Sequence, residues 1–359
     1  MILVNSIDEP NASARVYNVL MIRAVVVLVI AVGLLAPVKA VLQGREPIID
    51  MHLHALAADA QGPPPMAMCT PIDAMPGWDP IAPFPQMFID VFKKPPCANP
   101  IWSPTTDVEV MTRTLDVMKR HNVVGVLSGP AERVDAWMAA GSPRFIPALL
   151  LDAGEAGAPS PDIVRQRHAQ KRLSVLGEVS NQYSGLLPDD PRMEPYWTLA
   201  EALDIPVAYH VGPGPPGAIY LGSPNYRARL HSALTLEEVL VKHPKLRLYV
   251  MHAGFPLLDD MLAVLYAHPQ VYVDVGIIVY GQPRPAFYRY LQALVDFGFG
   301  KRVMFGSDQM VWPEALERAI AVINEAPFLS AAQKRDILYN NAATFLRLTK
   351  EDIARHRGI

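Results

Sequence analysis

Ile48-Ile49-Asp50-Met51-His52-Leu53-His54 is the stretch whose reading decides the fold. An apolar run ends in His-x-His, and no Gly-rich turn follows it. In a strand, residues two apart point to the same side. His52 and His54 can therefore share one face at the C-terminal end of a strand, where two imidazoles can hold one metal ion. An isolated His-x-His has many structural explanations, so the weight falls on what the rest of the chain repeats.

After this first strand, read as 47–52, further short apolar runs lie at 123–128, 145–151, 174–179, 206–211, 246–252, 271–275 and 303–306. Such runs read as buried parallel strands. Segments of helical periodicity separate them, at 107–120, 131–140, 161–172, 193–203, 235–243, 257–266, 285–297 and 313–325, with a closing helix at 330–347. Thr106 and Glu109 have the spacing of a capping box. Eight strand–helix units predict an α/β fold, a (β/α)8 TIM barrel. The structural alternative, a doubly wound open sheet, would usually carry a Gly-rich first turn. One unit is abnormal: residues 55–104, rich in Pro, form a long insertion after the first strand. Loops of this length are usually functional or disordered. This one leaves the active face of a barrel, so it reads as a lid or pocket wall, with a subunit contact as the alternative.

Polar groups recur where the other strands end: Glu178, His210, His252 and Asp308, each beside a Gly-containing loop. Burying an imidazole or carboxylate there is costly without a partner. A lone histidine is more often a hydrogen-bonded core residue, but six such groups at strand ends are satisfied together by a metal.

The His-x-His, the two single histidines and the Gly306-Ser307-Asp308 motif, with the late segment Asp336-Ile337-Leu338-Tyr339-Asn340-Asn341-Ala342-Ala343, resemble the amidohydrolase superfamily, in particular its amidohydrolase-2 branch, over 47–349. The resemblance implies that His52, His54 and Asp308 bind one metal ion and that His210 and His252 bind a second. Glu178 stands where many members have a bridging carboxylated lysine. In decarboxylase-like members a single metal is implied, and His252 is then catalytic instead of a ligand. The donor set suits Zn2+, with Mn2+ or Fe2+ as alternatives. Bound zinc can lower the pKa of its water to about 7, and Asp308 is the implied general base. The implied activity is hydrolysis of a carboxylic ester, lactone or amide. Non-oxidative decarboxylation and a non-catalytic metal- or ligand-binding barrel are the alternatives.

Around these groups, Tyr183, Arg284 and Trp312 are candidate substrate contacts: Tyr183 follows Glu178, Arg284 could hold a carboxylate or phosphate bidentately, and Trp312 could form an aromatic wall. The loop 211–217 combines flexible glycines with stiff prolines beside His210. His121, His243 and His268 fall at helix C-termini, where partial positive charge is favourable, and read as structural.

The chain of 359 residues is 51% hydrophobic with a formal net charge of −3. No basic run points to nucleic acid, so a small-molecule substrate is expected, and self-association into a homo-oligomer is compatible with the sequence. Met21-Ile22-Arg23 precedes an apolar run at 24–35 and then Ala36-Pro37-Val38-Lys39-Ala40, a secretory signal pattern. The run is shorter than the roughly 20 residues that span a bilayer. An uncleaved anchor is the other reading. The expected organisation is an N-terminal extension and signal peptide at 1–40, the barrel at 41–349 and a tail at 350–359. The exported, periplasmic or secreted, protein would have no stable membrane insertion after signal cleavage. Its two cysteines, Cys69 and Cys97, would meet oxidising conditions in which a disulfide persists. Pairing would contribute about 3–4 kcal/mol in the chain-entropy model; two free buried thiols are the alternative.

Overall fold

The structure, a computed structural model, describes residues 45–75, 77–212 and 214–358. The signal-like segment lies outside the described residues. Eight parallel strands form one nearly closed sheet: β1 (Ile48–His54), β2 (Val123–Ser128), β3 (Phe145–Leu151), β4 (Val175–Val179), β5 (Val207–His210), β6 (Leu248–Met251), β7 (Tyr272–Asp274) and β8 (Val303–Met304), each hydrogen-bonded to the next in that order. The Met51 amide donates to the Phe305 carbonyl at 2.9 Å and so draws β8 back onto β1. The expected (β/α)8 barrel is therefore observed. The helix at Asp107–His121 is capped by Thr106, which accepts from the Glu109 amide, but the reciprocal half of the expected capping box is displaced: the Glu109 carboxylate accepts from the amide of Thr105, one residue before the cap.

Strand alternation sorts the apolar side chains into two layers. Ile49 and Met51 of β1, with Val126, Ala148, Val175, Ala208, Tyr249, Met251 and Met304, fill the inside. Leu53, Leu127, Leu176 and Val179 pack outward beneath the helices. Two one-residue irregularities break the alternation. In β1, Asp50 pairs with Gly125 and Leu53 with Leu127, three residues against two. In β4, Leu176 pairs with Val207 and Val179 with Tyr209, again three against two. Such a bulge moves the following side chains to the opposite face. It turns His52 and His54 inward where strict alternation would send Leu53, and it brings Glu178 inward where alternation would send Val179.

The N-terminal end of the barrel is plugged by the closing helical segment, whose Tyr339, Ala342, Ala343 and Phe345 join the inner apolar layer. Residues expected as a tail form a helix, Lys350–Gly358, because His356 is buried against Tyr339, with Oη and Nδ1 3.2 Å apart.

The insertion after β1 is ordered by a two-stranded hairpin, Ala67–Met68 with Ile101–Trp102, and by helix α1 (Phe84–Lys93). Cys69 and Cys97 form a disulfide that ties its two arms together. No helix among the described residues is long and apolar enough to cross a membrane.

Candidate metal centre

The two bulges and two left-handed residues set up the cluster at the C-terminal mouth. His252 (φ 58°) and Asp308 (φ 52°) both sit at positive φ, a region sparsely populated by residues with a Cβ. At the ends of β6 and β8 this backbone reversal re-aims their side chains. Ser128 Oγ clamps the β4 bulge: it donates to the Gly177 carbonyl and accepts from the Glu178 amide, each at 2.7 Å.

Four side chains converge on one point. His52 Nε2 and His54 Nε2 are 3.1 Å apart. Glu178 Oε2 lies 3.3 Å from His54 Nε2 and 3.7 Å from His52 Nε2. Asp308 Oδ1 lies 3.1 Å and 3.7 Å from the same two nitrogens. Zn–N and Zn–O bonds of about 2.0–2.2 Å place neighbouring tetrahedral ligands about 3.3 Å apart, so these separations fit groups that share a small cation. Ligand atoms of His52, His54 and Glu178 form one compact set, and those of His52, His252 and Asp308 a second. Glu178 also reaches His210, with Oε1 3.8 Å from Nε2. The His210 ring lies against His252, their centroids 4.6 Å apart.

Partners behind the ligands fix the rings. Asp274, at the end of β7 and fully buried, places Oδ2 3.2 Å from His52 Nδ1, and its Oδ1 accepts from the His252 and Gly276 amides. His52 therefore presents Nε2 to the centre. His252 Nδ1 donates to the Gly276 carbonyl at 2.9 Å, which leaves its Nε2 free. Position 276 must be glycine: a Cβ there would come within 2.5 Å of His52 Nδ1. The Gln182 amide lies 2.7 Å from His210 Nδ1. Gln309 grips both backbone groups of His54 and Asp50 accepts from the His52 and Ser307 amides, so the β8–β1 seam is tied by side chains.

The electrostatics favour a cation. Burial opposes charge on His52, yet Asp308 and Asp274 hold it well above its ordinary value. Burial likewise opposes ionisation of Glu178 and Asp308, but the surrounding histidines keep both below the usual carboxylate range. The field that favours a proton on His52 also favours a divalent ion. His210 is pushed well below the ordinary value, by burial first and then by His252, and is a neutral imidazole suited to ligation.

All six predicted ligand residues thus meet at one place. Tyr183 joins them, with Oη 3.3 Å from His210 Nε2. Two other predicted contacts do not. The Trp312 ring is buried, stacks on Phe92 of α1 and donates its indole N–H to the Met66 carbonyl, so it anchors the insertion. Arg284 lies over the Tyr288 ring, in the field of Arg318 and Glu325. A short helix after β7, Ile278–Gly281, intervenes before Arg284 is reached, and Arg284 begins the helix that follows. His121, His243 and His268 pair with glutamates away from the centre.

Four residues of this centre escaped the sequence reading: Asp50, Ser128, Asp274 and His231. Asp50 and Asp274 carried a signal, a charge inside an apolar strand. His231 is buried beside Tyr226, ring centroids 4.5 Å apart, within reach of the Gly212 backbone. Its loop position gave no sign of this.

A family model described as amidohydrolase matches residues 49–348. No curated protein matches the chain. Among solved structures, the chain is similar to a probable 2-pyrone-4,6-dicarboxylic acid hydrolase from Acinetobacter baumannii with citric acid bound, at 14% identity over 84% of this chain and 99% of that chain, TM-score 0.54. It is also similar to a 2,6-dihydroxybenzoate decarboxylase complexed with 2,6-dihydroxybenzoate, at 15% identity over 85% and 100%, TM-score 0.52. A third is a dihydroxybenzoic acid decarboxylase from Polaromonas sp. JS666 with bound manganese and the inhibitor 2-nitroresorcinol, at 14% identity over 86% and 99%, TM-score 0.52. At these identities the likeness is one of fold.

Proposed function

The chain belongs to the amidohydrolase family, and from that premise we propose that it is a metal-dependent hydrolase that cleaves a carboxylic ester, lactone or amide outside the cytoplasm. The observation that carries this reading is the placement of Glu178, whose two carboxylate oxygens face His52 and His54 on one side and His210 on the other. A carboxylate between two sets of imidazoles suits a pair of divalent ions. His52, His54 and Asp308 would hold the first, His210 and His252 the second, with Glu178 shared. Zinc is the proposed metal, with manganese or iron accepted by the same donors. The Cys69–Cys97 disulfide supports export to an oxidising compartment.

Divalent ions held there supply Lewis acidity toward a carbonyl and an activated water at neutral pH. Asp308 takes the proton of the attacking water and passes it to the leaving oxygen or nitrogen. Its carboxylate is ionised and ready because three histidines surround it. Tyr183 Oη, beside His210, donates to the substrate carbonyl as negative charge develops on its oxygen. Asp274 holds His52 in the orientation that ligation needs.

A second reading is decarboxylation with one ion, for which His52, His54, His210 and Asp308 would be the ligands; the observation on its side is the anchoring of the His252 ring by the Gly276 carbonyl. In that case His252, its Nδ1 committed to Gly276, would offer Nε2 as the proton donor or acceptor. Metal analysis together with a screen of esters, lactones, amides and aromatic carboxylic acids separates the two. Two ions and ester, lactone or amide cleavage support the hydrolase. One ion and CO2 release from a carboxylic acid would replace it with the decarboxylase.

A further inference from the structure

Helix α1 carries Phe84, Phe88 and Phe92 at intervals of four, on one stripe. Both ends of the stripe are pinned to the barrel. The Phe84 ring is buried, lies 5.4 Å from Tyr220, and sits so close to Gly217 that a Cβ there would meet it at 2.1 Å. Phe92 stacks on Trp312 with centroids 5.9 Å apart. Gly217 and Tyr220 belong to the loop that follows His210, and Trp312 to the loop that follows Asp308. The stripe therefore faces the barrel and runs between two loops that begin at residues of the metal centre. Phe88 is its middle member, 6.2 Å from Phe84 and 4.9 Å from Phe92. Unlike Phe84, it stays half-exposed. Phe88 is therefore a partly exposed ring held between two anchored ones, on a helix that bridges the loops after His210 and Asp308.

Two cations near this stripe or expected at the site are drawn away from it. Lys93 is held by the carbonyls of Pro63 and Pro65, and Arg284 lies over Tyr288. A phenyl surface recognises hydrocarbon by removing it from water.

We propose that this aromatic stripe, with Phe88 at its centre, is the apolar wall of the substrate pocket, and that the site takes substrates whose acyl group is an uncharged hydrocarbon chain or ring. The inference rests on the hydrolytic reading of the mouth.

Isothermal titration of the zinc-loaded protein with n-alkanoates from butyrate to octanoate tests the pocket without requiring turnover. Wild-type affinity is expected to rise about fourfold per added methylene. Phe88→Ala should flatten that rise while its zinc content stays unchanged, and Phe88→Leu should keep most of it. An equal slope in wild type and Phe88→Ala, or no dependence on chain length in wild type, would overturn the proposal. Hydrolysis of p-nitrophenyl acetate, butyrate and hexanoate by the same preparations separates the two readings. Chain-length-dependent alkanoate binding without ester turnover would overturn the hydrolase and leave the pocket standing. Ester turnover indifferent to acyl length and to Phe88 would do the reverse.

Discussion

At the floor of the barrel, Tyr249 Oη donates to the Met51 carbonyl, Asn341 Nδ2 to the Val303 carbonyl, and Arg247 to the carbonyl of Phe345 and the carboxylate of Asp204. At the mouth, a few residues along the same strands, two imidazole nitrogens face each other at 3.1 Å with two carboxylates beside them. The floor is complete as protein. Each of these polar groups finds a neutral or oppositely charged partner, and Phe345 packs against Tyr249 and Tyr272. The mouth is complete only with added positive charge. The difference lies in backbone: the floor follows regular alternation, whereas the mouth uses two bulges and two left-handed residues to bring side chains inward that alternation would not.

If that contrast is right, substitutions at the two ends should fail in different ways. The largest effect belongs to Asp308→Asn. Steady-state kinetics should show turnover reduced by about 10³-fold, within the range for loss of a general acid–base group, with the thermal midpoint nearly unchanged. At the other end, Phe345→Ala should cost about 3–5 kcal/mol in denaturant unfolding yet leave the metal content per folded chain as it was. A Phe345 variant that lost its metal, or an Asp308 variant that unfolded, would break the division between the ends.

Smaller effects sharpen it. Asp274→Asn should weaken metal affinity by about 10- to 100-fold, as expected when the partner that orients a ligating histidine is changed; competition with a chelator reads this directly. Ser128→Ala removes both hydrogen bonds to the β4 bulge. It should cost about 1–3 kcal/mol and release one ion before the other, because Glu178 loses its support while His52 and His54 keep theirs. Unaltered metal content in Ser128→Ala would mean that the bulge holds its shape without the clamp.

How much of this was legible follows from the range of the interactions. The eight strands and the ligand residues were readable because each is marked locally, by an apolar run that ends in a polar residue. His52 and His54 were placed inward by their spacing of two. That outcome holds, but it depends on a bulge that no local pattern announced; without it Leu53 would occupy the inner face. Ser128 and Asp274 act on residues 50 and 222 positions away, and no window of sequence displays such a partnership. Arg284 and Trp312 misled for the same reason. Both follow a strand that carries a candidate ligand or its support, but Arg284 lies beyond a short helix and against Tyr288, and the insertion at 55–104 packs on Trp312. The disulfide was legible from the two cysteines and the expected export, and so was its place as a tie across the insertion.

Elemental analysis of the purified protein, prepared without chelator or added metal, tests the central claim most directly. The account predicts about two divalent ions per folded chain in the wild type, and near none in the His52→Ala/His54→Ala double variant, with the same circular dichroism spectrum for both. A folded wild-type chain that holds no metal, even after incubation with zinc or manganese, would contradict it.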